Sequence, residues 1–266
     1  MSSETPENRY ARQELLKELG RDGQRRLCGS AVLLVGCGGL GSSIATLLVR
    51  AGLGRLRIAD RDVVELKNLH RQLLYDEQDV ARRVPKAEAA RRRLVQGNSS
   101  VVVEARVVDV APHNVRDLAT GVDLVIDGTD NVETRYLLND VCLELRRPWI
   151  YGGAVGVTGM TFNVFPGEGP CLRCVFPEPP PPGSLPTCDT VGVLNTLPAM
   201  IGALQATEAI KILTAPAAAS RRLVVVDAWQ QSQEVIDIKR DPGCPACGSG
   251  RRDFLDGNEI TSLARL

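Results

Sequence analysis

Aromatic residues make up only 4% of this 266-residue sequence, so it lacks the rings needed to build stacking platforms for nucleic-acid bases. Neither sign of charge is in excess, because 32 Lys+Arg balance 32 Asp+Glu. A domain that binds by neutralising phosphate in bulk is strongly basic, so nucleic acid is not an expected partner. No apolar run reaches the roughly 18–20 residues of a membrane span. Met1 to Asn8 is polar and acidic, unlike a secretory signal. A soluble, cytoplasmic protein with no membrane partner is therefore expected. Histidine is nearly missing: His70 and His113 are the only two, and neither stands in a base-and-nucleophile setting. That argues against histidine acid–base catalysis.

What is present is the composition of a packed globular chain, 44% hydrophobic and 24% charged. At roughly 150 residues per domain, the length allows one large domain or two small ones. No composition shift marks a boundary, which favours one continuous domain over 1–266. Eight cysteines occur, at 28, 37, 142, 171, 174, 188, 244 and 247. With no signal segment a disulfide framework is not expected. Four of them form two C-x-x-C pairs, a pattern of metal or redox chemistry.

Short apolar runs alternate with helical patterns. Ala31–Val35 reads as a strand buried on both faces, Leu56–Ala59 as a second strand, Val101–Val107 as a third and Asp123–Ile126 as a fourth; another begins at Trp149. Helices are expected over Arg9–Gly20, within an N-terminal helical segment 6–20, with Gly20 as C-cap, and over 42–50, 81–94, 131–145 and 194–213. Two further strands are expected at 223–226 and 234–238. This alternation predicts an α/β, Rossmann-like doubly wound sheet. Phe176 to Pro186 is proline-rich and can be neither helix nor central strand, so residues 175–192 are expected to form a mobile surface loop.

Gly36-Cys-Gly38-Gly39-Leu-Gly41 fits G-x-G-x-x-G between a strand and a helix, where glycines let backbone approach a phosphate. Asp60 ends the second strand 24 residues after Gly36, where a carboxylate can hold ribose hydroxyls. The motif points to a nucleotide without choosing one. A nicotinamide dehydrogenase is one reading, and a turn needed only for close helix–strand packing is another.

Six ordered segments narrow this. Arg9-Tyr-Ala-Arg12-Gln13, the glycine turn, Asp60-Arg-Asp62, Asn68-Leu-His-Arg71-Gln72, Asp127-Gly-Thr-Asp130-Asn131 and Gly169-Pro-Cys-Leu-Arg-Cys174 closely resemble the sulfur-carrier adenylyltransferases, bacterial relatives of ubiquitin-activating enzymes. The match runs from about Arg9 to Gly248 and puts the dehydrogenase reading behind. The resemblance implies ATP-dependent adenylation of the C-terminal Gly-Gly carboxylate of a small ubiquitin-fold carrier. It implies that Arg71 and Lys86 clamp phosphates, Asn68 hydrogen-bonds the nucleotide, Asp130 holds Mg²⁺ and Asp60 holds the ribose, with Gly36, Gly38, Gly39 and Gly41 at the phosphate turn. Arg12 is implied to reach a neighbouring subunit's ATP, hence a homodimer. On blander readings, Asp130 or Asn131 only caps the next helix and the arginines are solvated charges. A zinc-stabilised scaffold that binds a carrier without adenylating it is the alternative function. Two features depart from the family pattern: Arg82-Arg83 within a lengthened Arg71-to-Lys86 spacing, and Asn195 where glycine is common.

Cys171, Cys174, Cys244 and Cys247 read as a closed four-thiolate Zn²⁺ site that staples the tail, about 241–250, to the body. A redox pair is the other reading. Cys188, at the end of the proline-rich loop, is a candidate nucleophile or a passive loop thiol. Cys37 is a small residue within the glycine turn, and Cys28 and Cys142 carry no motif. The chain ends soon after Cys247, which leads to the expectation of a separate sulfur-donor protein.

Overall fold

In the computed structural model, which describes residues 8–181 and 183–257, the apolar run Ala31–Val35 forms strand β1 and is buried throughout. A run apolar on both faces must be covered on both. Val32 and Leu34 enter one apolar cluster, while Ala31, Leu33 and Val35 enter a second on the opposite face. Strands β2 (Arg55–Ala59) and β3 (Val102–Arg106) continue the sheet in parallel on one side. On the other side lie β4 (Leu124–Asp127) and β5 (Trp149–Val155), also parallel. Antiparallel β6 (Thr158–Val164), β7 (Leu223–Asp227) and β8 (Ser232–Ile236) complete the order β3-β2-β1-β4-β5-β6-β7-β8. The sheet is the expected doubly wound α/β type, with mixed strand direction.

The helices are α1 (Ala11–Glu14), α2 (Gly20–Gly29), α3 (Gly39–Ala51), α4 (Glu77–Ala81), α5 (Lys86–Gly97), α6 (Val115–Ala119), α7 (Val132–Glu144), α8 (Leu172–Val175), α9 (Cys188–Val191) and α10 (Thr196–Thr214). Residues of α3, α5 and α10 fill the first apolar cluster, and those of α6, α7 and α8 fill the second. The chain visits β2 and β3 on one side of β1 and then crosses to β4 on the other. The carboxyl ends of β1 and β4 therefore open a crevice, where doubly wound sheets bind ligands.

Two helices differ from expectation. Arg9–Gly20 is not one helix: α1 stops at Glu14, and Gly20, with φ +62°, opens α2 instead of capping a longer helix. A left-handed residue cannot sit inside an α-helix, and Leu15 and Leu16, which suggested its apolar face, are exposed. Residues 6–7 of the expected N-terminal segment lie outside the described residues. Residues 81–94 are likewise split. α4 is closed by Arg83 at φ +50°, Pro85 follows, and α5 starts at Lys86. Within the loop expected over 175–192, α9 forms from Cys188 behind a Thr187/Thr190 capping box. Residues 192–194 dock on the sheet through Gly156 N to Gly192 O (2.9 Å) and Leu194 N to Gly156 O (2.8 Å).

Candidate functional site

The glycine turn leaves β1 at the crevice. Gly36 has φ +82°, a conformation glycine adopts freely. A Cβ on Gly41 would lie 2.1 Å from the Gly36 carbonyl oxygen, and one on Gly128, after β4, would lie 2.5 Å from the same oxygen. These three glycines are explained by backbone meeting backbone. Gly39 meets the Pro198 ring of α10 at 3.0 Å. Gly38 differs, since a Cβ there would have only Gln72 Nε2 nearby, at 3.6 Å. The fold leaves room for a side chain at Gly38, which faces the crevice. Gly38→Ala is thus expected to leave the melting midpoint nearly unchanged while weakening nucleotide-induced stabilisation. Gly41→Ala is expected to destabilise the fold itself by several kcal/mol, on the scale of an overpacked core. Thermal melts with and without ATP check both.

The crevice is a cleft half open to solvent. Gly36, Gly38, Gly39, Asp60, Asp62, Arg71, Lys86, Asp130 and Cys188 all line it. Asp60 is buried and accepts hydrogen bonds from Cys37 N (2.7 Å) and Asp62 N (2.8 Å). Burial pushes its carboxyl up, opposed by the cationic Lys86 and those two backbone donors. Lys86 is 5% exposed, and its Nζ pairs with Asp62 Oδ2 at 2.8 Å. Arg71 has no carboxylate partner among the described residues; its Nη1 lies 2.9 Å from His70 Nε2. Asp130 is exposed at the end of β4, and Asn131, not Asp130, caps α7 through Thr134 N. Three expected residues lie elsewhere, the first being Gly41, which packs against the Gly36 carbonyl and does not line the cleft. Asn68 is buried in the 3-10 turn Leu66–Asn68 and does not line the cleft. Arg12 is exposed on α1, outside its own chain's cleft.

Cys188 Sγ lies 3.7 Å from the Ala154 carbonyl oxygen of β5. Burial pushes its thiol up, and Asp130 and Asp189 add to this against Arg71. Cys188 is therefore mainly protonated at neutral pH and not pre-activated. Cys37 is fully buried and pushed up to about 12, chiefly by that burial, which removes it as a nucleophile.

Sequence reading missed a buried ion pair at the floor of this cleft. Asp127 ends β4 with no exposure and pairs with Arg135 of α7, Nε to Oδ2 at 3.1 Å. Its Oδ1 accepts from Thr129 N (2.8 Å) and Thr129 Oγ1 (2.7 Å). Arg135 also donates to the carbonyls of Thr129 (2.8 Å) and Gly152 (3.1 Å), and its guanidinium lies 5.2 Å from the centre of the Tyr151 ring. The signal was present, since Asp127 opens the Asp127-Gly-Thr-Asp130-Asn131 segment, but nothing in the sequence marks Arg135 as its partner. Asp127→Ala should destabilise the fold by about 3–5 kcal/mol, because it leaves a buried cation uncompensated; urea unfolding measures this.

At the far end of the sheet the four cysteines of the C-x-x-C pairs converge. Their sulfurs all lie within 4.8 Å of one another, with Cys171–Cys244 at 3.6 Å and Cys174–Cys247 at 3.4 Å. Thiolates about 2.3 Å from a tetrahedral Zn²⁺ are about 3.8 Å apart, so the cluster fits that ion. Among the described residues no other group of three or more His, Cys, Asp or Glu is so arranged. The tail is held over a longer stretch than 241–250. Arg173 pairs with Asp253 (2.7 Å), Phe254 N donates to Asp140 Oδ2 (3.0 Å), and Phe254 packs on Tyr136 of α7 with ring centres 4.8 Å apart.

The family model for the ThiF family matches residues 10–246. A "Sulfur carrier protein adenylyltransferase" of Thermus thermophilus is 42% identical, over 96% of this chain and 97% of its own length. A "Sulfur carrier protein ThiS adenylyltransferase" of Bacillus subtilis is 40% identical over 97% of this chain and 76% of that protein. The "SAMP-activating enzyme E1" of Haloferax volcanii is 41% identical over 94% and 92%. Among solved structures, E. coli MccB aligns with a TM-score of 0.79 over 91% of this chain and 75% of that one, at 21% identity, a likeness of fold. Among the described residues no helix is long and apolar enough to cross a membrane. With four of the six ordered segments lining one cleft and the family model spanning nearly the whole length, this chain belongs to the ThiF family.

Proposed function

We propose that this protein adenylates the C-terminal Gly-Gly carboxylate of a ubiquitin-fold sulfur carrier. The observation that carries the reading is the convergence of the glycine turn, Asp60, Arg71, Lys86, Asp130 and Cys188 on one cleft, in a chain 42% identical to a sulfur carrier protein adenylyltransferase over almost its full length. A carboxylate oxygen of the carrier attacks the α-phosphorus of ATP. The bond from that phosphorus to the bridging oxygen breaks, and pyrophosphate leaves with the electron pair, giving acyl-AMP. Two anions must meet, so the site has to supply positive charge where negative charge builds.

Arg71, which has no carboxylate partner here, and Lys86 are the cations for the phosphates, and Gly38 lets them approach the backbone. Asp60 retains unused acceptor capacity on both oxygens and serves the ribose. Mg²⁺, when bound, supplies further positive charge, and Asp130 with phosphate oxygens forms its expected ligand set. Asn68, outside the cleft lining, would reach the nucleotide only after the Leu66–Asn68 turn moves. Because Arg12 is remote from its own cleft, its expected contribution is to a neighbouring copy, in a homodimer. Zn²⁺ held by Cys171, Cys174, Cys244 and Cys247 would be structural, because four thiolates would fill a tetrahedral ion's positions. Sulfide-level sulfur from a separate donor then attacks the acyl carbon, the acyl C–O bond breaks and AMP leaves with its electron pair, giving the thiocarboxylate.

Incubation with ATP and a Gly-Gly-ended carrier should yield, by mass spectrometry, carrier heavier by one adenylyl group; unmodified carrier in every pairing contradicts the reading. Cys188→Ala is expected to leave adenylation intact and to slow only transfer after it, since its protonated thiol takes no part in the attack on phosphorus. NADH stabilisation without ATP stabilisation in a thermal melt would instead favour a dehydrogenase.

A further inference from the structure

We infer that Arg135 grips the C-terminal glycine of the incoming carrier and so determines which tails reach ATP; this rests on the adenylation reading above. The strands order the cleft from one side to the other. Asp60 follows β2, the glycine turn follows β1, Asp130 follows β4, and Ala154 of β5 sits with Cys188 at the far side. A nucleotide with its ribose at Asp60 and its phosphates at the glycine turn occupies the β2–β1 side. The acyl group that attacks the α-phosphorus must then enter from the β4–β5 side. Arg135 bridges those two strands, through Asp127 at the end of β4 and the Gly152 carbonyl of β5, and it lines the cleft.

Its guanidinium is fixed and incompletely used. Nε is taken by Asp127 and Nη2 by the carbonyls of Thr129 and Gly152, while Nη1 has no partner among the described residues. A planar fork held along one edge presents its remaining donors in a set direction. The acceptor that suits it is a carboxylate or peptide carbonyl oxygen.

The test measures binding rather than turnover, so failure of adenylation and failure of this inference remain separable. Affinity of a Gly-Gly-ended ubiquitin-fold carrier, and of the same carrier lacking those two glycines, is measured with a non-hydrolysable ATP analogue present. Arg135→Lys is expected to weaken the intact carrier at least 10-fold, to leave the truncated carrier unchanged, and to keep the ATP analogue's affinity within about twofold. The Asp127→Asn/Arg135→Gln double variant removes the buried charge pair together and should behave the same while remaining folded. Equal weakening of both carriers, equal weakening of carrier and ATP analogue, or no change in the intact carrier overturns the inference. In variants that turn over, KM for carrier should rise while KM for ATP does not.

Discussion

Asp130→Asn is expected to lower adenylation by roughly 10³-fold, the size of effect seen when one preorganised electrostatic contact to a reacting centre is lost. The carboxylate is exposed, caps no helix and has no ion-pair partner among the described residues, so little in the free fold depends on it. Substitutions at such positions usually change stability by less than about 0.5 kcal/mol. The variant should therefore melt with the parent protein. An amide keeps the shape and loses the charge that a hard cation requires. A large fall in stability would return Asp130 to a structural role, and undiminished adenylation would remove it from the site.

Withdrawal of metal from the four-cysteine cluster is expected to lower the melting midpoint by roughly 10 °C. Cys171 and Cys244 are fully buried and the four sulfurs lie within 4.8 Å of one another, so an ion bridging them ties the tail to the body. Release of the tail would uncover Phe254, Leu255 and the face of Tyr136. At about 1.5–3 kcal/mol for each of the two large apolar side chains of the tail, Phe254 and Leu255, that is about 3–6 kcal/mol. For a chain above 150 residues each kcal/mol moves the midpoint by about 2–4 °C. Cys244→Ser should reproduce the effect of a strong chelator, and the two together should add little. Chelation that leaves the midpoint unmoved would mean that the tail is held by Arg173–Asp253 and the Phe254 contacts alone.

Much of the fold was legible because its signals are local. Ala31–Val35 and Leu124–Ile126 are continuous apolar runs, and a strand covered on both faces is written that way. The glycine turn announced itself for the same reason, since the turn takes Gly36 through φ +82° and brings its carbonyl oxygen against Gly41 a few residues on. Legibility failed where the deciding contact was distant. Leu15 and Leu16 have helical spacing, but no partner element covers them, and the positive φ of Gly20 breaks the run. β6 went unread although Met160-Thr-Phe-Asn-Val164 alternates apolar with polar residues, a local strand signal; its pairing with β5 and β7 makes it a strand. The four zinc-type cysteines were legible from their spacing, whereas the reach of the tail to Leu255 depends on Asp140 and Tyr136, more than 100 residues earlier. Arg135 is the clearest case. Nothing in Asn131-Val-Glu-Thr-Arg135 distinguishes it from a solvated helix arginine until β4 and β5 are placed around it.

The central claim is tested most directly by ATP–pyrophosphate exchange. With folded, zinc-loaded protein, labelled pyrophosphate should enter ATP only when a carrier ending in Gly-Gly is present. Deletion of those two glycines should abolish the signal. Exchange that proceeds without any carrier, or no exchange with any Gly-Gly-ended ubiquitin-fold protein encoded in the same genome, would contradict the account.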